Sequence, residues 1–391
     1  MLLLAAALLL VPVARGGHEV PVYPSYYPHE IEIAVLEPAR AGEMLGTGKL
    51  NAYVGRPPSF AAGVPKDVAS ALSLGSYIVV KLNPNSRLAK EQTSACELVG
   101  AVVREAAAIA DRRASAGLPA AAAGAGFIVA HPYPVTPLNG DYIIHADLAE
   151  AAKARFAGDG AKAPAPMLSL RLRAEGALAE GLVRPEWRAE GADWDALVVQ
   201  VDAAGLLAAH ASVMNGWMGP RWVRSGWFQA YRLLGDLVAE PSERQRVEDN
   251  VARLEAGEVA DATESANVQR DLVGRLTAGC RGAVVGYTLR QEYYNASFSD
   301  GIENITPDAV EGFSSPMFLR TVKLKDFPWN GWLKLGMAAP PRAAWNPIGG
   351  FTDEFGRLLW FAVGDTAVMP SPYDHGWVLN RISEVRASST P

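Results

Sequence analysis

The densest group of side chains able to hold a metal or move a proton lies between residues 131 and 147. His131-Pro132-Tyr133-Pro134 is followed by Asn139-Gly140-Asp141-Tyr142, then His145-Ala146-Asp147. The chain has six histidines in all, and two of them sit here with two aspartates and two tyrosines. Imidazole nitrogen combined with carboxylate oxygen is a donor set for zinc and related divalent cations. His131, His145 and Asp141 are therefore the candidate metal ligands, and Tyr133 is a candidate ring for a bound ligand.

The spacing weighs against a metal. Asn139-Gly140 signals a type I′ hairpin, and a two-residue loop there pairs Pro134 with His145 and His131 with Leu148. In an ideal ribbon His131 and His145 then point to opposite faces. Pro132, Pro134 and Pro137 break that register, because proline donates nothing to a ladder. Asp147, with Glu150 three residues on, has the form of a helix N-cap.

Aromatic residues make the second group. Eight of the ten tryptophans follow residue 210, and Trp329, Trp332 and Trp345 lie among Asn, Asp and Gly in DFPWNGWLKLG and AAWNPIGGF. An indole face with nearby polar groups suits a flat ligand, so these three are candidate ligand-binding residues. Trp227 reads as core instead, because Val223, Trp227, Tyr231 and Leu234 recur at helical spacing. His18 and His29 read as surface residues, since two isolated imidazoles do not complete a site.

Several chemistries lack their motifs. No Cys-x-x-Cys-His or four-cysteine set is present for covalent c-type haem or an iron–sulfur cluster. GxxxxGK[ST] and GxGxxG are missing, which argues against a P-loop nucleotide, and so are GxSxG and HExxH. With 36 Lys+Arg against 42 Asp+Glu and no basic stripe, nucleic acid is not an expected partner. The cofactor is unknown from sequence; a divalent metal at His131, His145 and Asp141 is the one expectation.

Stepping along the chain, Met1 to Val13 is an almost unbroken apolar run. It is too short to span a bilayer and the right length for a secretory signal over 1–16, with cleavage before Gly17. No later segment reaches spanning length, so the expectation is a soluble periplasmic or secreted protein. Cys96 and Cys280 are the only cysteines; they form either one disulfide or two buried thiols.

Period-2 apolar patterns predict strands over 30–36, 50–54, 77–82, 127–130, 167–173, 196–201 and 283–289. Helical periodicity predicts helices over 94–113, 148–156, 220–238 and 261–277, and a Ser-x-x-Glu-like box at Ser242 opens another. Short strands are expected at 318–324 and 358–363, inside an aromatic, irregular C-terminal segment. The fold class is α/β (or α+β): two lobes with mixed sheets covered by helices. The Ala/Gly/Pro-rich stretch 157–166 marks the linker between lobes 17–156 and 167–391.

The function these readings imply is an exported envelope protein that binds a small ligand or an envelope partner. Its inter-lobe cleft is expected to be lined by 131–147 and 329–345. The alternatives are a metal- or cofactor-dependent enzyme or redox accessory subunit using His131 and His145, and a structural subunit of an envelope assembly.

Overall fold

The computed structural model describes residues 28, 30–86, 92–115, 127–157, 170–191, 193–209, 212–214, 217–326, 331–342, 344–345, 351, 353–364, 368–372, 376–380 and 383–384. The leader 1–16, the histidines His18 and His29, Trp329, and the stretch 158–166 lie outside the described residues.

The chain begins with β1 (Glu30–Val35), α1 (Pro38–Gly46), β2 (Ala52–Val54), β3 (Val68–Leu82), α2 (Gln92–Ser115), β4 (Phe127–Ala130) and α3 (Ala146–Ala157). It continues with β5 (Leu172–Glu175), α4 (Ala177–Leu182), β6 (Ala196–Asp202), α5 (Ala203–Ala208), β7 (Ser212–Met214), β8 (Trp217–Gly219), α6 (Gly226–Leu234), α7 (Pro241–Ala256) and α8 (Ala262–Ala278). The last part holds β9 (Gly282–Asn295), β10 (Ile302–Glu303), α9 (Pro316–Thr321), β11 (Lys323–Leu324), β12 (Trp332–Met337), α10 (Glu354–Val363), β13 (Val368–Pro370) and β14 (Trp377–Leu379).

The fold is mixed α/β. Eight strands form one sheet in the order β1-β12-β2-β9-β3-β6-β5, with β4 also paired to β9. Pairs β1–β12, β12–β2 and β5–β6 are parallel, and β2–β9, β9–β3, β3–β6 and β4–β9 are antiparallel. β3 and β9 are far longer than the other strands and pair from Val68↔Asn295 to Lys81↔Gly282. Their ladder slips between Leu74 and Tyr77, and again between Ile78 and Val79.

These slips divide the sheet into two halves. Before them, the β3–β9 ladder carries β2, β12 and β1; beyond them it carries β4, β6 and β5. Residues 30–74 and 289–384 thus build the first half, and 76–288 build the second, so the chain crosses between halves only along β3 and β9. The elements described on either side of 157–166, α3 and β5, both belong to the second half. The stretch 158–166 itself lies outside the described residues, and composition alone does not say which sheet the flanking elements join.

In the second half, alternate residues of β3 point to opposite faces. Tyr77 and Val79 pack with Trp227 and Leu233 of α6, Val247 of α7 and Leu272 of α8. Ile78, Val80 and Leu82 pack with Leu98, Val102 and Ala106 of α2 and with Leu178 of α4. Helices cover both faces, which is why this strand reads as a nearly continuous apolar run. The first half is built the same way. Leu333, Leu335 and Val54 meet Phe318 of α9 and Leu358 of α10 on one face, while Leu45 of α1 meets Tyr53 and Tyr293 on the other.

The C-terminal helices correct two strand expectations. Ser315 caps α9 by accepting from Met317 N–H, with Pro316 in the first turn, and Asp353 caps α10 by accepting from Gly356 N–H. Short apolar runs do not separate helix from strand by periodicity; here the caps decide it. The helix expected over 220–238 is broken at Ser225 into a 3₁₀ turn (Arg221–Arg224), α6 and a second 3₁₀ turn (Gly235–Leu237). At Ser242 no side-chain cap forms; α7 starts one residue earlier, with Glu240 at the N-cap position. Asp261 does cap α8, accepting from Glu264 N–H at 2.8 Å.

Cys96 and Cys280 form a disulfide, with Cα atoms 4.6 Å apart and a sequence separation of 184. Both lie in the second half, near its entry and exit, so the bridge closes almost all of that half into one loop. In the chain-entropy picture a loop of this length contributes about 5 kcal/mol. Reductant is expected to lower the denaturant midpoint followed by tryptophan fluorescence, and Cys96→Ala/Cys280→Ala is expected to match the reduced protein. A midpoint indifferent to reductant contradicts this.

Candidate functional site

β4 ends at Ala130, and His131 N–H donates to Val285 O at 3.0 Å, so the chain leaves the sheet at the second ladder slip. No hairpin follows. Residues 131–141 form an irregular loop, and 142–145 a 3₁₀ turn leading into α3. The hairpin signal at Asn139-Gly140 loses to local side-chain bonds: Asn139 Oδ1 accepts from Thr136 N–H at 2.8 Å and from Thr136 Oγ1 at 2.9 Å. Asn139 Nδ2 then donates to Gln229 Oε1 on α6 at 3.0 Å, an oxygen that also accepts from Tyr77 hydroxyl at 2.5 Å.

Asp141 caps α6. Its Oδ1 accepts from Gly226 N–H at 2.8 Å and its Oδ2 from Trp227 N–H at 3.1 Å. A carboxylate here satisfies two orphan donors and meets the positive end of the helix. Glycine is required at 226, since a Cβ there would collide with Val135 Cγ1 and come within 2.9 Å of Asp141 Oδ1.

His131 and His145 are brought together, contrary to the ideal ribbon, through Tyr133. The Tyr133 hydroxyl and His145 Nδ1 share a hydrogen bond at 3.2 Å, and the His131 ring meets Tyr133, Tyr142 and Tyr287 edge-on or tilted at 5.7–6.5 Å. His131 Nε2–H donates to Val135 O at 3.0 Å. His145 Nε2 is buried without a partner. Burial holds both imidazoles below the ordinary histidine range, hence neutral. Both Asp141 oxygens are taken by the helix, and among the described residues no three His, Cys, Asp or Glu side chains are placed to hold one metal ion. Asp147 is not the cap that its spacing suggests. It sits in the first turn of α3 and forms a two-pronged ion pair with Arg270 at 2.6 and 2.7 Å, which draws its pKa down to about 2.

The aromatic candidates lie elsewhere. Trp332, 61 % exposed, starts β12 and lines a groove of about 380 Å³ with Asn51, Asp300, Asp326 and Lys334. Tyr133 lines a different cavity of about 270 Å³, with no residue in common. The end of β12 that approaches the other half is Met337, paired with Val54, so Trp332 lies at the far end of the first half. Trp345 is exposed. Among the described residues, Trp332 and the 131–147 segment line no cavity in common.

What occupies the seam between halves is a set of charges that sequence reading missed. Arg224 of the second half is ion-paired with Asp308 of the first, and its Nη1 donates to Ser371 O at 2.9 Å. Asp308 Oδ1 accepts from Val310 and Glu311 N–H groups at 2.8 and 2.9 Å. Glu292 accepts from Gly55 and Phe313 N–H groups at 2.9 and 2.7 Å, and Arg290 reaches Ser73 Oγ at 3.1 Å and Glu354 at 3.2 Å. Gly312 is required at φ +62°, where a Cβ would collide with Glu292 Oε2. Glu311, 4 % exposed, faces Arg357 at 3.6 Å, yet neither of its oxygens accepts a hydrogen bond. Burial, helped by the Asp308 charge, raises its pKa to about 7. The sequence signal was present: Arg290 and Glu292 sit inside a β run that was expected to end at Leu289, and charges inside a buried strand need partners.

No family model matches this chain, and no curated protein matches it. Solved structures do. The periplasmic EDTA-binding protein EppA shares 12% identity at a TM-score of 0.38, over 72% of this chain and 56% of that one. NikA from Brucella suis in complex with Fe(III)-EDTA shares 13% at 0.38, over 74% and 60%. The oligopeptide-binding protein AppA from Bacillus subtilis, in complex with a nonapeptide, shares 13% at 0.35, over 74% and 59%. This chain spans little more than half the length of each.

Two outcomes follow from the buried polar groups. Asp141→Ala leaves two helix N–H groups unpaired and is expected to cost about 2–3 kcal/mol by denaturant unfolding; an unchanged midpoint contradicts the cap. His131 and His145 have lowered folded-state pKa values, so their contribution is complete above about pH 6.5 and is lost as pH falls below it. His131→Asn/His145→Asn is expected to lose less stability than the parent between about pH 7 and 5; equal losses contradict this sign.

Proposed function

We propose that this chain is an exported protein of the cell envelope, periplasmic or secreted, that binds a small ligand between the two halves of its sheet. Two features support export: the apolar run at Met1–Val13 and a disulfide that belongs to an oxidising compartment. Among the described residues no helix is long and apolar enough to cross a membrane. Two halves connected by two strands can bend about that connection, the usual geometry of hinge closure.

The observation that carries the reading is Glu311. A carboxylate enclosed at the seam with no hydrogen bond to either oxygen is costly, and a ligand donor entering an opened seam would satisfy it. When Glu311 is ionised, the seam holds Glu292, Asp308, Glu311 and Glu354 against Arg224, Arg290 and Arg357, and a ligand that draws Glu311 into its charged form carries an ammonium group. Amino acids, short peptides and polyamines are the class to test.

In a thermal-shift and calorimetric panel, amine-bearing compounds are expected to stabilise the protein and neutral sugars are not. Glu311→Gln is expected to weaken that binding about tenfold or more. The variant remains foldable: a raised carboxyl pKa means the charged form costs stability as pH rises from about 4.5 to about 7, and Gln removes that cost. No stabilisation by any amine, or undiminished binding to Glu311→Gln, contradicts the proposal.

A further inference from the structure

A second ligand space lies wholly within the second half, away from the seam. The cavity of about 270 Å³ beside Tyr133 is walled by Leu148, Ala152 and Phe156 of α3, faces Gly274 on α8, and has Val284 of β9 at its base. Its volume is nearly twice the roughly 150 Å³ that holds a benzene ring in a dry apolar cavity. The space exists because small residues face each other across it: Ala151 and Ala152 on α3, Gly274 and Ala278 on α8. A Cβ built at Gly274 meets no atom within 4 Å.

Among the described residues, Arg155 is the sole charged one lining this cavity. Its guanidinium lies over the Phe156 ring at 4.6 Å and donates one hydrogen bond, from Nη1 to Thr277 O at 3.2 Å. Among the described residues it is ion-paired with no carboxylate, whereas Arg270 and Arg275 on the neighbouring α8 are paired with Asp147, Asp271 and Glu243. The residue is exposed, and desolvation on its cavity side draws its pKa down with no nearby acid raising it. A guanidinium with spare fork-shaped donors beside an apolar cavity matches a carboxylate head on an apolar body.

We propose that this cavity binds a small amphipathic carboxylate, with an aryl or alkyl body of about seven to ten carbons between α3, α8 and Tyr133 and the carboxylate on Arg155. The site is independent of the seam: it takes an anion where the seam takes a cation, and it uses no seam residue.

Octanoate and 3-phenylpropanoate are the probes, with octanol as the uncharged control, titrated into the full chain by calorimetry. Both carboxylates are expected to bind, and Arg155→Gln to weaken them about tenfold or more while leaving octanol unchanged. Gly274→Leu fills the open space and is expected to abolish binding of all three while keeping the native thermal midpoint, because leucine is a better helix former than glycine. Absence of carboxylate binding, or equal carboxylate affinity in Arg155→Gln, overturns the proposal. Full retention in a folded Gly274→Leu protein overturns the placement in this cavity.

Discussion

The antiparallel ladder between β3 and β9 is the constraint on which the rest depends. Val68–Lys81 and Gly282–Asn295 are paired along nearly their whole length, and every other strand of the main sheet reaches that ladder directly or through one or two neighbours. The ladder must satisfy two environments, with helices on both faces in one half and a different set of helices in the other. It meets them by slipping register twice, at Leu74/Tyr77 and at Ile78/Val79. At the first slip, Ser76 N–H is satisfied by Thr288 Oγ1 at 2.8 Å instead of by a ladder carbonyl. At the second, the carbonyl of Val285 is freed to accept from His131, and this sends the 131–145 loop across to α6. Bulges of this kind bend and re-aim strands, and here they set where the two halves separate.

The loop and the seam solve one problem by different means. Both bring backbone donors and charged side chains into places without water, and each such group needs a partner. In the loop, Asp141, Asn139 and Gln229 close the account almost completely, leaving His145 Nε2 and Gln229 Nε2 as the unpartnered atoms. At the seam, Asp308 and Glu292 each take two backbone N–H groups, while Glu311 faces the Arg357 guanidinium at 3.6 Å and accepts no hydrogen bond. Among the described residues, the Glu311 oxygens and Arg224 Nε are buried seam atoms that make no hydrogen bond.

Much of the architecture was legible where periodicity was long. The Ile31/Ile33 alternation of β1, the apolar stripe of α2 and the helical periodicity of α8 all reflect one local rule acting over several residues. The disulfide remained open in sequence, because spacing alone does not bring two cysteines within bonding distance. Reading failed where distant partners decided the outcome. Asn139-Gly140 had the dipeptide of a hairpin, yet Asp141 was claimed by a helix start 85 residues away in sequence. Asp147 had the spacing of a cap and was claimed by Arg270. The aromatic tail looked irregular, although Ser315 and Asp353 open helices in it. Beyond the charged pair Arg290 and Glu292 inside β9, the seam was hidden for the same reason: Arg224, Glu311 and Arg357 are scattered along the chain, and only the fold collects them.

The central claim, two halves that bend on β3 and β9 around a ligand, is tested most directly by a distance measured across the seam. Ile143 in the second half is 80 % exposed and Phe298 in the first is 95 % exposed. Because the two native cysteines are bridged, Ile143→Cys/Phe298→Cys offers two label sites in the oxidised protein. Pulsed electron–electron double resonance on the spin-labelled protein is expected to give a distance distribution that shifts or narrows when an amine-bearing ligand from the panel binds. A single distribution, identical with and without a ligand shown to be bound, would contradict the account.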